Sequence, residues 1–144
     1  MRLPIKTFLV VLGLTGCTSA TGPNGIGTVP IPGTVTMRVG DQVKLKNSAW
    51  VLTFSSVKSD SRCPVDVTCI QAGETSLEFV LDNPLSAQPR PPAVQVILNG
   101  EKPDTVAGLI LRVTRVDPAR YAGKTITSRQ YAAELAIAWL TPPD

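Results

Sequence analysis

Thr34-Val35-Thr36-Met37-Arg38-Val39-Gly40-Asp41-Gln42-Val43-Lys44-Leu45-Lys46 decides how this chain folds. Val35, Met37 and Val39 alternate with Thr34, Thr36 and Arg38, and Val43 and Leu45 alternate with Lys44 and Lys46. Successive side chains of a strand point to opposite faces, so this alternation marks strands with one dry face and one wet face. Gly40-Asp41 stands between the two runs, where a two-residue turn places glycine first, and predicts that they form a hairpin.

The same period recurs downstream. Trp50, Leu52 and Phe54 make one apolar face, Leu77, Phe79 and Leu81 another, and Val94, Val96 and Leu98 a third. Asn99-Gly100 is the strongest short hairpin signal in the chain, because both residues tolerate positive φ. Leu109, Leu111 and Val113 then face one way, with Ile110, Arg112 and Thr114 on the other side, until Asp117-Pro118 opens an irregular stretch reaching Arg129. Pro84 to Pro92 breaks the pattern because proline donates nothing to a ladder, and its Pro89-Arg90-Pro91-Pro92, although spaced as PxxP, reads as an extended spacer. Tyr131 to Leu140 is rich in alanine, which favours helix, yet Leu135, Ile137 and Trp139 keep a period of two and predict a strand. About seven antiparallel strands without a convincing helix predict an all-β domain over residues 34–144. Its expected form is a β-sandwich of immunoglobulin-like or Greek-key architecture.

Upstream, Arg2 and Lys6 flank the start of a short apolar run, Phe8 to Leu14, and small residues follow it. That is the layout of a secretory signal peptide, and the run is too short for a permanent membrane span. Leu14-Thr15-Gly16-Cys17 resembles a bacterial lipobox, in which a small residue admits the signal peptidase and the cysteine thiol accepts a diacylglycerol. The resemblance covers the first 17 residues. It implies a lipoprotein signal peptide over residues 1–16, lipidation with fatty-acyl (palmitate-type) chains at Cys17, and attachment to a membrane. Each buried methylene adds about 0.8 kcal/mol, so two or more chains hold stably. Similarity to other lipoproteins makes Thr18, in place of an aspartate, a pointer to the outer membrane. Residues 17–33 are then the lipidated cysteine and a Gly/Pro-rich tether with an r.m.s. reach of roughly 20 to 25 Å.

Over the whole chain 14 basic residues face 11 acidic ones; without residues 1–16 the basic count is 12. No basic run or basic stripe interleaved with aromatics is present, which argues against a nucleic-acid partner. The chain has no histidine, the commonest general base, and no serine in a nucleophile-elbow motif. We therefore expect a non-enzyme without a cofactor, with the bilayer as partner through acylated Cys17 and an envelope protein as a further one.

With Cys17 assigned to lipid, Cys63 and Cys69 remain. In an exported protein a disulfide is the direct reading, because zinc wants four ligands and redox pairs usually leave only two residues between the thiols. Closing so short a loop contributes about 2 to 2.5 kcal/mol on the chain-entropy estimate. Around it stand Asp60-Ser61-Arg62-Cys63-Pro64, then Val67, Cys69 and Ala72-Gly73. This pattern resembles a motif of small, mostly uncharacterised bacterial exported proteins, and the strand ending Arg115-Val116-Asp117-Pro118 resembles another part of that family's pattern. Gln71 departs from it, since the family places a tryptophan there. The resemblance implies an exported β domain and no particular activity.

Physically the segment is a stapled loop in which Asp60 and Asp66 suit capping of backbone N–H groups and Arg62 suits pairing with either. The same three residues, Asp60, Arg62 and Asp66, are the candidate partner-binding set, because rigid loops present polar groups well. The reading that follows is a membrane-anchored lipoprotein of the cell envelope, acting as a non-enzymatic binding or accessory module. The alternative is metal binding, or a carboxylate-dependent hydrolase, in the region of Asp60, Asp66 and Glu74. Hydrolysis of that kind needs two carboxylates about 5 to 9.5 Å apart in a cleft, and a calcium site about six oxygens.

Overall fold

The apolar positions picked out by alternation become the inner faces of two sheets. The computed structural model describes residues 26–86 and 92–142, so the signal peptide, Cys17 and Pro89-Arg90-Pro91 lie outside the described residues. The strands are β1 (Gly27–Val29), β2 (Gly33–Arg38), β3 (Gln42–Leu45), β4 (Val51–Asp60), β5 (Thr75–Asp82), β6 (Val94–Asn99), β7 (Asp104–Val106), β8 (Leu109–Asp117) and β9 (Ala132–Trp139). A 3-10 turn, Ser128–Gln130, precedes β9. One sheet has the order β1-β3-β4-β5-β6 and the other β2-β9-β8-β7, and the two pack as a sandwich. The extra strands relative to the seven expected include the three-residue β1 and β7.

Between the sheets Leu52, Phe54, Leu77, Phe79 and Leu81 meet Met37, Leu109, Leu111, Leu135 and Ile137, all fully buried. The Phe54 and Phe79 rings stack across the β4–β5 pair with centroids 4.7 Å apart. Such pairs add about 0.5 to 1.5 kcal/mol beyond area burial. β9 is a strand, as its period predicts: Ala133, Leu135 and Ile137 enter the core, and the pairing with β2 and β8 overrides the helical preference of its alanines.

Both predicted hairpins are instead arches between sheets. β2 pairs with β9 and β3 with β4, so Gly40 does not join neighbouring strands. The Asp41 N–H donates to the Arg38 carbonyl at 2.8 Å, and Gly40 takes the third turn position with φ +97°. A glycine at positive φ there is the type II pattern, whose twist splays the flanking strands. Met37 and Val43 therefore reach the same core from opposite sides, which the alternation permits equally well. Asn99-Gly100 likewise carries the chain from β6 to β7 in the other sheet. The two-residue hairpin lies at Ala107-Gly108, where Val106 pairs with Leu109 and both turn residues have positive φ, +50° and +76°.

The stretch read as tether also contributes structure. β1 lies within it, pairs parallel with β3 and buries Val29, so the folded region reaches back to Gly27.

Candidate functional site

β4 is the longest strand, and register shifts between Phe54 and Ser56 and between Val57 and Ser59 re-aim its last residues. Its end, Asp60, turns inward, with a side chain only 6% exposed. Both carboxylate oxygens are engaged. Oδ1 accepts from the Arg62 backbone N–H at 3.1 Å and from Arg62 Nε at 2.9 Å, while Oδ2 accepts from Arg62 Nη2 at 2.8 Å and from the Tyr131 hydroxyl at 3.0 Å.

Arg62 uses its other donors across the sandwich. Nη1 donates to the Val116 carbonyl at 2.6 Å and Nη2 to the Pro118 carbonyl at 2.9 Å. Asp60 closes β4 in one sheet, whereas Val116 belongs to β8 and Tyr131 precedes β9 in the other, so the ion pair ties the two sheets together at this end. The planar guanidinium fork suits two-point pairing with a carboxylate. Burial by itself pushes the Asp60 carboxyl up, but the bonds from Arg62 and Tyr131 outweigh it and hold the group below the usual carboxylate range. The bond to Asp60 raises the Arg62 guanidinium against its burial, and burial with the same carboxylate raises the Tyr131 phenol.

From this anchor the loop projects. Cys63 and Cys69 are disulfide-bonded. The Val65 N–H donates to the Arg120 carbonyl at 2.9 Å, and Asp66 Oδ1 accepts from the Ala122 N–H at 2.8 Å, so the loop lies along residues 120–122. Arg120 Nη1 donates to the Arg62 carbonyl at 2.8 Å. At the return the Ser61 N–H donates to the Glu74 carbonyl, and a Cβ on Gly73 would overlap the Ser61 carbonyl; the close approach requires glycine.

Of the predicted contact set, Asp60 and Arg62 hold each other and Asp66 caps a backbone N–H. All three are engaged within the chain. The outward groups are apolar: Val65, Val67 and Ile70 are 62%, 47% and 104% exposed, with Tyr121 beside the loop at 46%. Lys124 Nζ lies 5.2 Å from the Tyr121 ring centroid. The sequence pattern held a signal for this, because Val65-Asp66-Val67 sit inside a closed loop too short to enter a core and Ile70 follows its second cysteine. Tyr131 and Arg120, the other anchors, carry no signal in local sequence, since their partners are distant along the chain.

Behind the loop an open cleft of about 610 Å³ is lined by Arg62, Gly73, Glu74, Thr75, Glu101 and Lys102. Glu74 is there without Asp60 or Asp66, so the three acids do not share one cleft. Among the described residues no three His, Cys, Asp or Glu side chains gather to hold a metal ion. A second open groove, about 570 Å³, runs over the outer face of the four-stranded sheet, with Ala136 and Ala138 between Thr34 and Ile110. No helix among the described residues is long and apolar enough to cross a membrane. No protein-family model matches the chain, and comparison with curated proteins and with solved structures finds no match.

Proposed function

We propose that this protein is a membrane-anchored lipoprotein of the cell envelope, favouring the outer membrane, and that it works without catalysis as a binding or accessory module. Lipidation at Cys17 holds it to the bilayer, and the end of the sandwich bearing Cys63–Cys69 is its contact surface. The observation that carries the binding part is the inverted polarity of that loop: its charged side chains are engaged within the chain while Val65, Val67 and Ile70 face outward. An exposed apolar group on a backbone fixed by a disulfide loses little freedom when a partner covers it. The anchor rests on the arrangement Leu14-Thr15-Gly16-Cys17 after a charged and apolar leader.

The test joins palmitate labelling to site-directed photo-crosslinking in cells making the full chain. Label is expected in the wild type and lost in Cys17→Ser, which leaves the membrane fraction. A photoreactive residue at position 70 is expected to give adducts that one at position 140, at the far end of β9, does not. Absence of label removes the anchor, and equal reaction at the two positions removes the contact surface.

A further inference from the structure

We infer that the tip formed by Val65, Val67, Ile70 and Tyr121 docks on the lipid surface itself, with its aliphatic side chains entering the boundary between headgroups and acyl chains. The inference deepens the proposed membrane attachment and rests on that reading. Three observations carry it.

The first is composition. Two aliphatic residues project from the closed loop and a third, Ile70, from the position just after it; an amphipathic tyrosine flanks them, and Lys124 lies against that ring. Aliphatic side chains inside, tyrosine at the boundary and a cation at headgroup level is how polypeptides seat at a membrane interface.

Charge is the second. Asp66 is the acid within the loop, and its carboxylate already accepts the Ala122 N–H. Arg120 and Lys124 stand beside it, so the rim of the tip carries net positive charge and suits the phosphates of a bilayer.

The third is the path of the chain. β4 runs toward the loop, β3 runs against β4 and β1 runs parallel to β3, so the chain entering β1 comes from the direction of the loop, although Gly27 itself lies level with the start of β4. Gly27 lies level with Val43, and Val43 with Leu52. From Leu52 to the end of β4 at Asp60 the rise is about 26 Å. The ten residue steps from Cys17 to Gly27 span at most about 35 Å. Extended, the chain from Cys17 reaches past the level of Asp60, so its acyl chains and this tip can share one surface; Leu140, at the opposite end of the sandwich, then stands away from it.

The experiment uses the full chain purified from membranes and reconstituted into vesicles of phosphatidylethanolamine and phosphatidylglycerol containing lipid brominated near the glycerol end of its acyl chains. Ile70→Trp adds a fluorophore at the tip, and Leu140→Trp places one at the other end; the emission of Trp50 and Trp139 is subtracted with the parent protein. Emission from position 70 is expected to shift to the blue and lose most of its intensity to bromine, while position 140 keeps its own. No quenching at position 70, or equal quenching at both, overturns the inference. So does unquenched position 70 joined to a protein by the photo-crosslinker. Failure of the anchor reads differently: palmitate label is then absent from Cys17, and quenching at position 70 on added vesicles still supports the tip.

Discussion

Between the sheets, Leu52, Phe79, Leu111 and Leu135 are shut away from water, and alternating residues such as Arg112 and Glu134 turn to the outer face. At the loop end the arrangement is reversed: Asp60 is turned in, Arg62 is largely covered, and Val65, Val67 and Ile70 lie in solvent. The two regions are ordered by different forces. The sandwich places enough apolar area in one core for burial to order the backbone. A loop closed between residues 63 and 69 has no interior, so covalent closure and directed hydrogen bonds must fix it, and apolar side chains have no structural place to go. Exposed aliphatic groups there are a consequence of how the loop is built, and they are available to a partner.

The comparison is broken most severely from the core side. Phe79→Ala removes one ring of the stacked pair at the centre of β4–β5, and the expected loss is about 3 to 5 kcal/mol. Urea unfolding followed by tryptophan fluorescence measures it. A loss below about 1 kcal/mol would mean that the sandwich is not held by burial in the way proposed.

Asp60→Ala is expected to come next, at about 3 kcal/mol, because it leaves a largely covered guanidinium and the Tyr131 hydroxyl without their acceptor. Its pH signature separates it from a packing effect. The bonds from Arg62 and Tyr131 favour the carboxylate and lower its pKa in the folded state. That stability is fully present above the unfolded carboxyl value, about 4, and is lost as pH falls through the lowered folded value. Wild type is thus expected to lose stability on acidification below about pH 4, and Asp60→Asn to show a flatter limb over the same range.

Much of this architecture can be read from residue order, and the failures are local. Period-2 alternation located β2, β3, β4, β5, β6, β8 and β9 because an inward residue must be apolar whichever sheet it belongs to. For the same reason it could not assign β2 and β3 to different sheets, and the choice fell to the turn at Gly40. The Ala107-Gly108 hairpin escaped notice because alanine is seldom placed at positive φ, here imposed by the pairing of Val106 with Leu109. Cys63 and Cys69 announced the disulfide. The inward turn of Asp60 depends on the irregular register of β4 and on Tyr131, 71 residues away, which no local pattern encodes.

Reduction of Cys63–Cys69 tests the staple alone. Stability should fall by about 2 kcal/mol, seen as a drop of several degrees in Tm. Because Arg62 and the Ser61–Glu74 pairing remain, the core should keep its cooperative transition. Collapse of that transition on reduction would show that the loop supports the sandwich, rather than the sandwich holding the loop.

The smallest expected effect sharpens the comparison most. Ile70 is fully exposed, so Ile70→Ser removes no buried area and should change stability by less than about 0.5 kcal/mol in urea. A Leu or Ile to small-residue change in the core costs roughly 2 to 5 kcal/mol, so similar chemistry should differ by several-fold between the two regions. If Ile70→Ser also weakens membrane contact while Tm is unchanged, the side chain serves the surface and not the fold. A stability loss comparable to that in the core would place Ile70 against the protein itself, and the account of an outward-facing apolar tip would have to be abandoned.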